Sequence, residues 1–277
     1  MADRFAAFRH SSYSRYFTSR FMTAFAAQIV SVSVAWQIYD ETQNAVYLGW
    51  IGLVQFLPAL LLVFVTGLAS DTFGRRLVMG LAILVEMSCA VGILFLAATN
   101  QFHPVWVLAI LTAFGVARAF LSPASASLAV NVVPREDFAN AVGWNASAWQ
   151  MASIVGPVVG SLLYGVSHVL AYSTATVMFA AASVLIFSIS KPPQRVSTEP
   201  KTLSVVLGGF TYVWKQKVVL GAISLDLFAV LLGGAVALMP VYARDILQVG
   251  ETGLGLMRAA PGIGALIVTA VITAFPI

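Results

Sequence analysis

The sequence predicts an all-α membrane protein, and three observations predict it. Sixty per cent of the 277 residues are hydrophobic and only nine per cent are charged, with a mean hydropathy of +0.90, far from soluble averages. The apolar residues fall into eight runs of about 20 residues, each long enough to cross a hydrocarbon core roughly 30 Å thick. Basic residues between those runs collect on alternate connections, as topology in a bilayer requires.

In chain order, spans are expected over residues 20–39, 46–70, 77–98, 104–127, 139–166, 170–189, 218–243 and 253–275. The four arginines of residues 1–20 precede an apolar run too long for a signal-peptide core, so the first span is read as retained. Connections are short and polar except after the sixth span. There residues 191–202 are rich in Pro, Lys and Ser and read as a linker, and residues 203–217 carry apolar residues at helical spacing, as an interfacial helix would. The expected units are a six-helix bundle over 1–190, a cytoplasmic linker with its interfacial helix over 191–217, and the start of a second bundle over 218–277.

Sidedness follows from charge. Arg4, Arg9, Arg15, Arg20, Arg75, Arg76, Arg135, Lys191, Arg195, Lys201, Lys215 and Lys217 share one side, and Arg244 alone takes the other. This asymmetry places the N-terminus in the cytoplasm of a multi-pass inner (plasma) membrane protein. It also explains the net charge of +4 without nucleic acid as a partner. Cys89, the single cysteine, excludes an intrachain disulfide.

A shift of 203 residues aligns Tyr39 with Tyr242, Val46 with Val249, Gly52 with Gly255, Leu53 with Leu256 and Pro58 with Pro261. These matches join the first span to the second and the seventh to the eighth, the mark of an internal duplication. A second six-helix half would need four more spans after Ile277, so a fragment of a 12-span protein is expected. A complete eight-span protein is the alternative.

The most informative stretch is residues 67–76, Gly-Leu-Ala-Ser-Asp-Thr-Phe-Gly-Arg-Arg, a turn too charged for lipid. Gly67 is expected to let two helices approach closely, and Gly74 to take a turn conformation that other residues enter only with strain. Asp71 stands within reach of Arg75 and Arg76. This G-x-x-x-D-x-x-G-R-R pattern after a second span resembles the signature loop of the major facilitator superfamily of secondary transporters. In the fifth span Gly156-Pro157-Val158-Val159-Gly160 pairs small residues around a helix-bending proline. It resembles the superfamily's antiporter motif G-P-x-x-G-G, with Ser161 in the final position. Residues 117–124 with Val133-Pro134-Arg135-Glu136 resemble the bacterial branch that includes the enterobactin exporter and multidrug efflux carriers. The resemblance implies a major facilitator fold, a six-helix half followed by two helices of the next half.

Ionisable groups inside spans cost roughly 2.5–3.5 kcal/mol each on insertion scales and point to function or critical packing. By the resemblance, Arg118 in the fourth span belongs to a second motif linked to proton coupling; pinning of neighbouring helices is the plain alternative. Asp226 in the seventh span and Glu86 in the third are the carboxylates that desolvation would dispose to hold a proton. The architecture implied by the resemblance, with spans one, four and seven lining a central cavity, favours Asp226. Arg258 is a partner for either, or reaches outward. Cavity candidates are Gln28, Ser33, Trp36, Gln37 and Asp40 in the first span, Gln55 in the second, and Asn145 and Trp149 in the fifth. Such amide and aromatic side chains suit a large amphipathic solute, and equally suit helix-to-helix hydrogen bonds or an aromatic belt.

No phosphate-binding loop, metal-ligand cluster or nucleophile–base spacing occurs in the sequence, so neither an enzyme, a cofactor nor a metal is expected. The expected function is proton-coupled export of a small amphipathic molecule, a drug or a siderophore, by alternating access in a monomer. Its partners are the solute, protons and the lipid bilayer. Gly67, Asp71, Gly74, Arg75 and Arg76 would form the conformational latch, and Gly156, Pro157 and Gly160 the exporter motif. A truncated membrane scaffold without transport is the other class.

Overall fold

A computed structural model describes residues 4–190 and 214–274, apart from some side chains, those of Asp71 and Asp226 among them. Among these residues there are helices and no strands. The long ones are α1 (Ser11–Thr42), α2 (Val46–Phe73), α3 (Arg75–Ala98), α4 (Pro104–Ala129), α5 (Phe138–Val166), α6 (His168–Phe187), α7 (Lys217–Leu232) and α8 (Gly250–Ala274). Within the described residues α1, α3, α4, α6 and the stretch Arg135–Val166 are long and apolar enough to cross a membrane.

The breaks between helices have local causes. Gln43 caps α1 in the left-handed region (φ 50°) and donates its N–H to Tyr39 O at 2.9 Å. Gly74 separates α2 from α3 at φ 95°, ψ 125°, where a side chain would be strained. Pro104 opens α4, its missing N–H costing nothing in the first turn, and His103 Nδ1 accepts the Val105 N–H at 3.4 Å.

Two sequence expectations need correction. The first span starts at Ser11, not near residue 20, because Arg15 and Arg20 are tolerated in the helix. Arg15 donates to Ser188 O at 2.6 Å and Arg20 to Tyr16 Oη at 3.0 Å, so their charged ends are satisfied while their stems lie along the helix. The seventh span is not one helix over 218–243. α7 stops at Leu232, a 3₁₀ segment follows over Gly233–Leu238, and a turn at Met239–Val241 leads into a π-helical turn at Tyr242–Ile246. Gly233 and Gly234 weaken the helix, and Pro240 fits only near the start of the next turn. The linker 191–202 and nearly all of the interfacial helix over 203–217 lie outside the described residues.

In the bundle α1 packs on α5 and α6, α3 on α4 and α6, and α2 on α4, while α8 lies along α5. Lipid tails are as apolar as leucine, so close contact between small residues has to hold such helices together. Ala26, Ala90, Ala124, Ala152 and Ala175 are accordingly buried at the crossings. Phe114 of α4 meets Phe179 of α6 edge to face at 6.1 Å. Polar side chains tie the basic end of α1 to its neighbours: Tyr13 Oη donates to Ala141 O (3.0 Å), Tyr16 Oη to Ser125 O (2.9 Å) and Ser19 Oγ to Ala182 O (2.8 Å).

Candidate functional site

A cavity of about 1190 Å³ lies between α1, α2, α4 and α5 on one side and α8 on the other. It runs from Ala35 and Leu48 at one end to Thr66, Gly67 and Ala126 at the other. The helical repeat decides which side chains face it. On α1 the face carrying Gln28, Ser31 and Ala35 looks inward, with Gln55 on α2, Arg118 and Ser122 on α4, Gln150 on α5 and Arg258 on α8.

Of the first-span candidates, only Gln28 lines this cavity; Gln55 joins it from α2. Ser33 and Trp36 sit one face round, in an interface with Ser161, Tyr164, Glu251 and Leu254 that leaves no room for a water molecule. Gln37 is buried and accepts the Tyr172 hydroxyl at 2.8 Å. Asp40 pairs with Arg244 beyond the cavity. Asn145 is buried with its Oδ1 unpartnered, away from the lining, and Trp149 borders a separate side cavity. Ser33, Gln37 and Asp40 thus pack and seal, since residues 28, 31 and 35 are the ones that face the cavity. Ser31 and Gln150, polar side chains of the first and fifth spans, also face the cavity, and the i, i+3, i+7 spacing of 28, 31 and 35 sets which side of α1 does so.

One end of the cavity is sealed. Asp40 forms an ion pair with Arg244, and Tyr39 Oη donates to Asp245 Oδ2. Trp36 and Val32 pack with Ala243 and Leu254, and Tyr39 and Leu48 with Val241. Gly156, Pro157 and Gly160 lie where α5 packs closely on its neighbours. A side chain at Gly156 would meet Gln28 Cβ at 2.7 Å, and one at Gly160 would meet Ile29 Cα at 2.9 Å. On the opposite face of α5, a Cβ on Gly255 would lie 2.9 Å from Pro157 O and 2.0 Å from Ser161 Oγ. α5 is therefore held without side-chain spacers against both α1 and α8.

At the other end is the basic face. Arg75 donates to Ser127 O at 3.1 Å and to Asn131 Oδ1, and Arg76 to Ile186 O at 3.3 Å and to Phe187 O. Both arginines thus cover carbonyls near the C-terminal ends of α4 and α6, where backbone partners run out and the helix dipole is negative. Gly67 differs from expectation: nothing lies within 4 Å of a Cβ built there, and it lines the cavity instead of a helix contact. The expected turn over 67–76 narrows to Gly74: Asp71 lies in the last helical turn of α2, and its side chain is outside the described set.

Two membrane-embedded charges have defined settings. Arg258 donates to Ser31 Oγ at 3.1 Å across the cavity, with its Nε unpartnered. Glu86 is fully buried, and both carboxylate oxygens lack a hydrogen-bond partner. It lines a side cavity of about 160 Å³ with Arg118, which also borders the large cavity and lies 5.9 Å from the Phe114 ring. The pairing of Arg258 with Glu86 weighed from the sequence is absent among the described contacts.

Long apolar helices bundled around a mainly apolar cavity with a few polar side chains are those of a polytopic membrane protein. The family model described as Major Facilitator Superfamily matches residues 16–276, and the chain belongs to that family. It is 27% identical over 240 residues to Macrolide efflux protein A of Streptococcus pyogenes, covering 81% of this chain and 57% of that protein. It is 27% identical over 280 residues to the Multidrug efflux pump Tap of Mycobacterium tuberculosis, covering 93% and 66%. The chain therefore spans well short of the whole of either relative. In fold it is similar to a bacterial homologue of the human lysosomal transporter Spinster, solved inward-facing and unoccupied, with a TM-score of 0.72 at 14% identity over 96% of this chain and 62% of that one.

Proposed function

We propose that the chain is the N-terminal bundle and the opening helices of the C-terminal bundle of a proton-coupled secondary exporter. Residues 1–190 form the first bundle, 191–217 the cytoplasmic linker and 218–277 the start of the second. The solute is a small amphipathic molecule of drug-like or siderophore-like character, and movement is by alternating access in a monomer of the inner membrane. The basic face is the cytoplasmic one by the positive-inside rule.

One observation carries this reading: a cavity of about 1190 Å³ closed at the face opposite the arginines by contacts between α1 and the segment before α8. A cavity closed at one end, between elements that meet mainly through small residues and a few polar pairs, is the form expected of one state in an alternating cycle. The closing contacts must be worth only a few kcal/mol, or the cycle would stall. A half-exposed ion pair such as Asp40–Arg244 contributes about 0.2–1 kcal/mol, which suits a gate. Asp71 with Arg75 and Arg76 acts as the corresponding latch at the basic face. Similarity to pumps named for macrolide and multidrug efflux supports export, as does the small-residue motif Gly156-Pro157-Gly160 where α5 packs on α1.

The test is a reversible lock. Asp40→Cys with Arg244→Cys in the full-length protein should cross-link under oxidant, stop efflux of erythromycin from cells, and recover on reduction. Efflux unaffected by a complete cross-link would reject the moving seal.

A further inference from the structure

The side cavity is separate from the proposed solute path, and its contents are unusual. Glu86 lies on α3 with no exposed surface and no hydrogen-bond donor at either oxygen. An ionised carboxylate so placed is strongly disfavoured unless a cation comes to it. The charged groups lining the same cavity are Arg20 from α1 and Arg118 from α4, with the hydroxyls of Thr23, Ser122 and Ser125 between them. Among the described groups of the other packed elements, α6 offers only His168, beside Tyr164, and Tyr172, which is hydrogen-bonded to Gln37. On α3 itself Cys89 is the neighbouring thiol.

The volume, about 160 Å³, holds about five waters at roughly 30 Å³ each. A polar chain closes its wall toward the basic end of α1: Arg20 donates to Tyr16 Oη, which donates to Ser125 O, and both Arg20 and Ser125 line the cavity. Arg118 and Ser122 border both this cavity and the large one, and Arg118 is the charged member of the two.

Building on the proton-coupled reading above, we propose that Glu86, not a group in the solute cavity, carries the coupled proton, and that Arg118 is the positioning residue that reports its state to that cavity. In the protonated state Glu86 is neutral and Arg118 is available to the solute cavity. On release, the Glu86 O–H bond breaks, the proton passes to water in the side cavity and on to the basic face, and the carboxylate left behind takes Arg118 as its counter-ion. That movement withdraws one positive charge from the wall between Gln55 and Ser122, so proton loss and solute affinity change together. The balance needs only water as proton acceptor.

Proteoliposomes of the full-length protein with radiolabelled erythromycin separate the possibilities. Wild type should accumulate the probe against an imposed pH gradient and exchange it without one. Glu86→Gln should lose gradient-driven accumulation and keep exchange, and Asp226→Asn should keep both. If wild type exchanges erythromycin but ignores the gradient, the proton-coupled reading itself fails. If wild type is coupled and Glu86→Gln is equally coupled, only the Glu86 assignment fails. Infrared spectra of the purified protein give a readout independent of solute: a protonated-carboxyl band present in wild type, missing in Glu86→Gln and displaced in Arg118→Lys. No such difference between wild type and Glu86→Gln would overturn the assignment even where erythromycin is not transported.

Discussion

Gly115 of α4 sits where α2 crosses most closely, three residues before Arg118, and replacing it with alanine puts a number on that crossing. The new methyl would lie 2.8 Å from both Gln55 Cα and Gln55 O and 3.0 Å from Val54 O. Ordinary contact begins at 3.4 Å, so the shortfall is 3.4 − 2.8 = 0.6 Å. All three obstructing atoms are backbone, so no rotamer change relieves them and α2 has to retreat bodily. Overpacking of this kind costs about 1–3 kcal/mol. Alanine's helix preference over glycine offsets up to about 1 kcal/mol of that. Gly52→Ala on α2 supplies the control, because nothing lies within 4 Å of a Cβ there. It gains the helix preference without the clash, so the two variants should differ by about 1–3 kcal/mol. Thermal challenge of detergent-purified protein followed by size-exclusion should show Gly115→Ala melting below Gly52→Ala. Equal midpoints would mean that α2 and α4 are not held at this distance, and the wall carrying Gln55 and Arg118 would have to be redrawn.

Other substitutions probe separate joints. Gly74→Ala forces a side chain into a φ of 95°, a strain of about 1–3 kcal/mol, and should lower thermal stability, whereas Gly143→Ala, in open space on α5, should not. Tyr172→Phe removes the donor to buried Gln37 and leaves its carbonyl unsatisfied, at about 1–3 kcal/mol; the additional change Gln37→Leu should recover part of the loss in the same melting assay. Arg76→Ala should uncap the carbonyls of Ile186 and Phe187 and speed backbone hydrogen exchange at the end of α6, while leaving the start of α6 near His168 unchanged.

Much of the fold was legible because the bilayer imposes a coarse rule on sequence. A run must be apolar for about 20 residues, and breaks must fall at residues that tolerate breaks. Hence α2 begins at Val46 and α4 at Pro104 as expected, and Gly74 takes the positive φ that its place before two arginines suggested. The seventh span misled for the same reason: residues 233–243 are apolar enough to span, and hydropathy does not register that Gly233-Gly234 and Pro240 interrupt the helix. The candidate site was less legible. Gln28, Gln55 and Arg118 were found by residue type, but Ser33, Trp36, Gln37 and Asp40 share the same polarity and turned out to seal or pack. Polarity in a lipid-embedded helix says that a side chain faces protein or water and leaves open which.

From the sequence alone came the class of fold, the order of its long helices and the glycine turn. Each depends on composition or on residues a few positions apart. Tertiary structure decided which helix faces the cavity with which side, that Tyr39 and Asp40 meet Asp245 and Arg244 some two hundred residues away, and that Arg118 borders two cavities at once. A helix period of 3.6 residues defines faces, but only the neighbour packed against a face determines whether it is core, seal or solute wall.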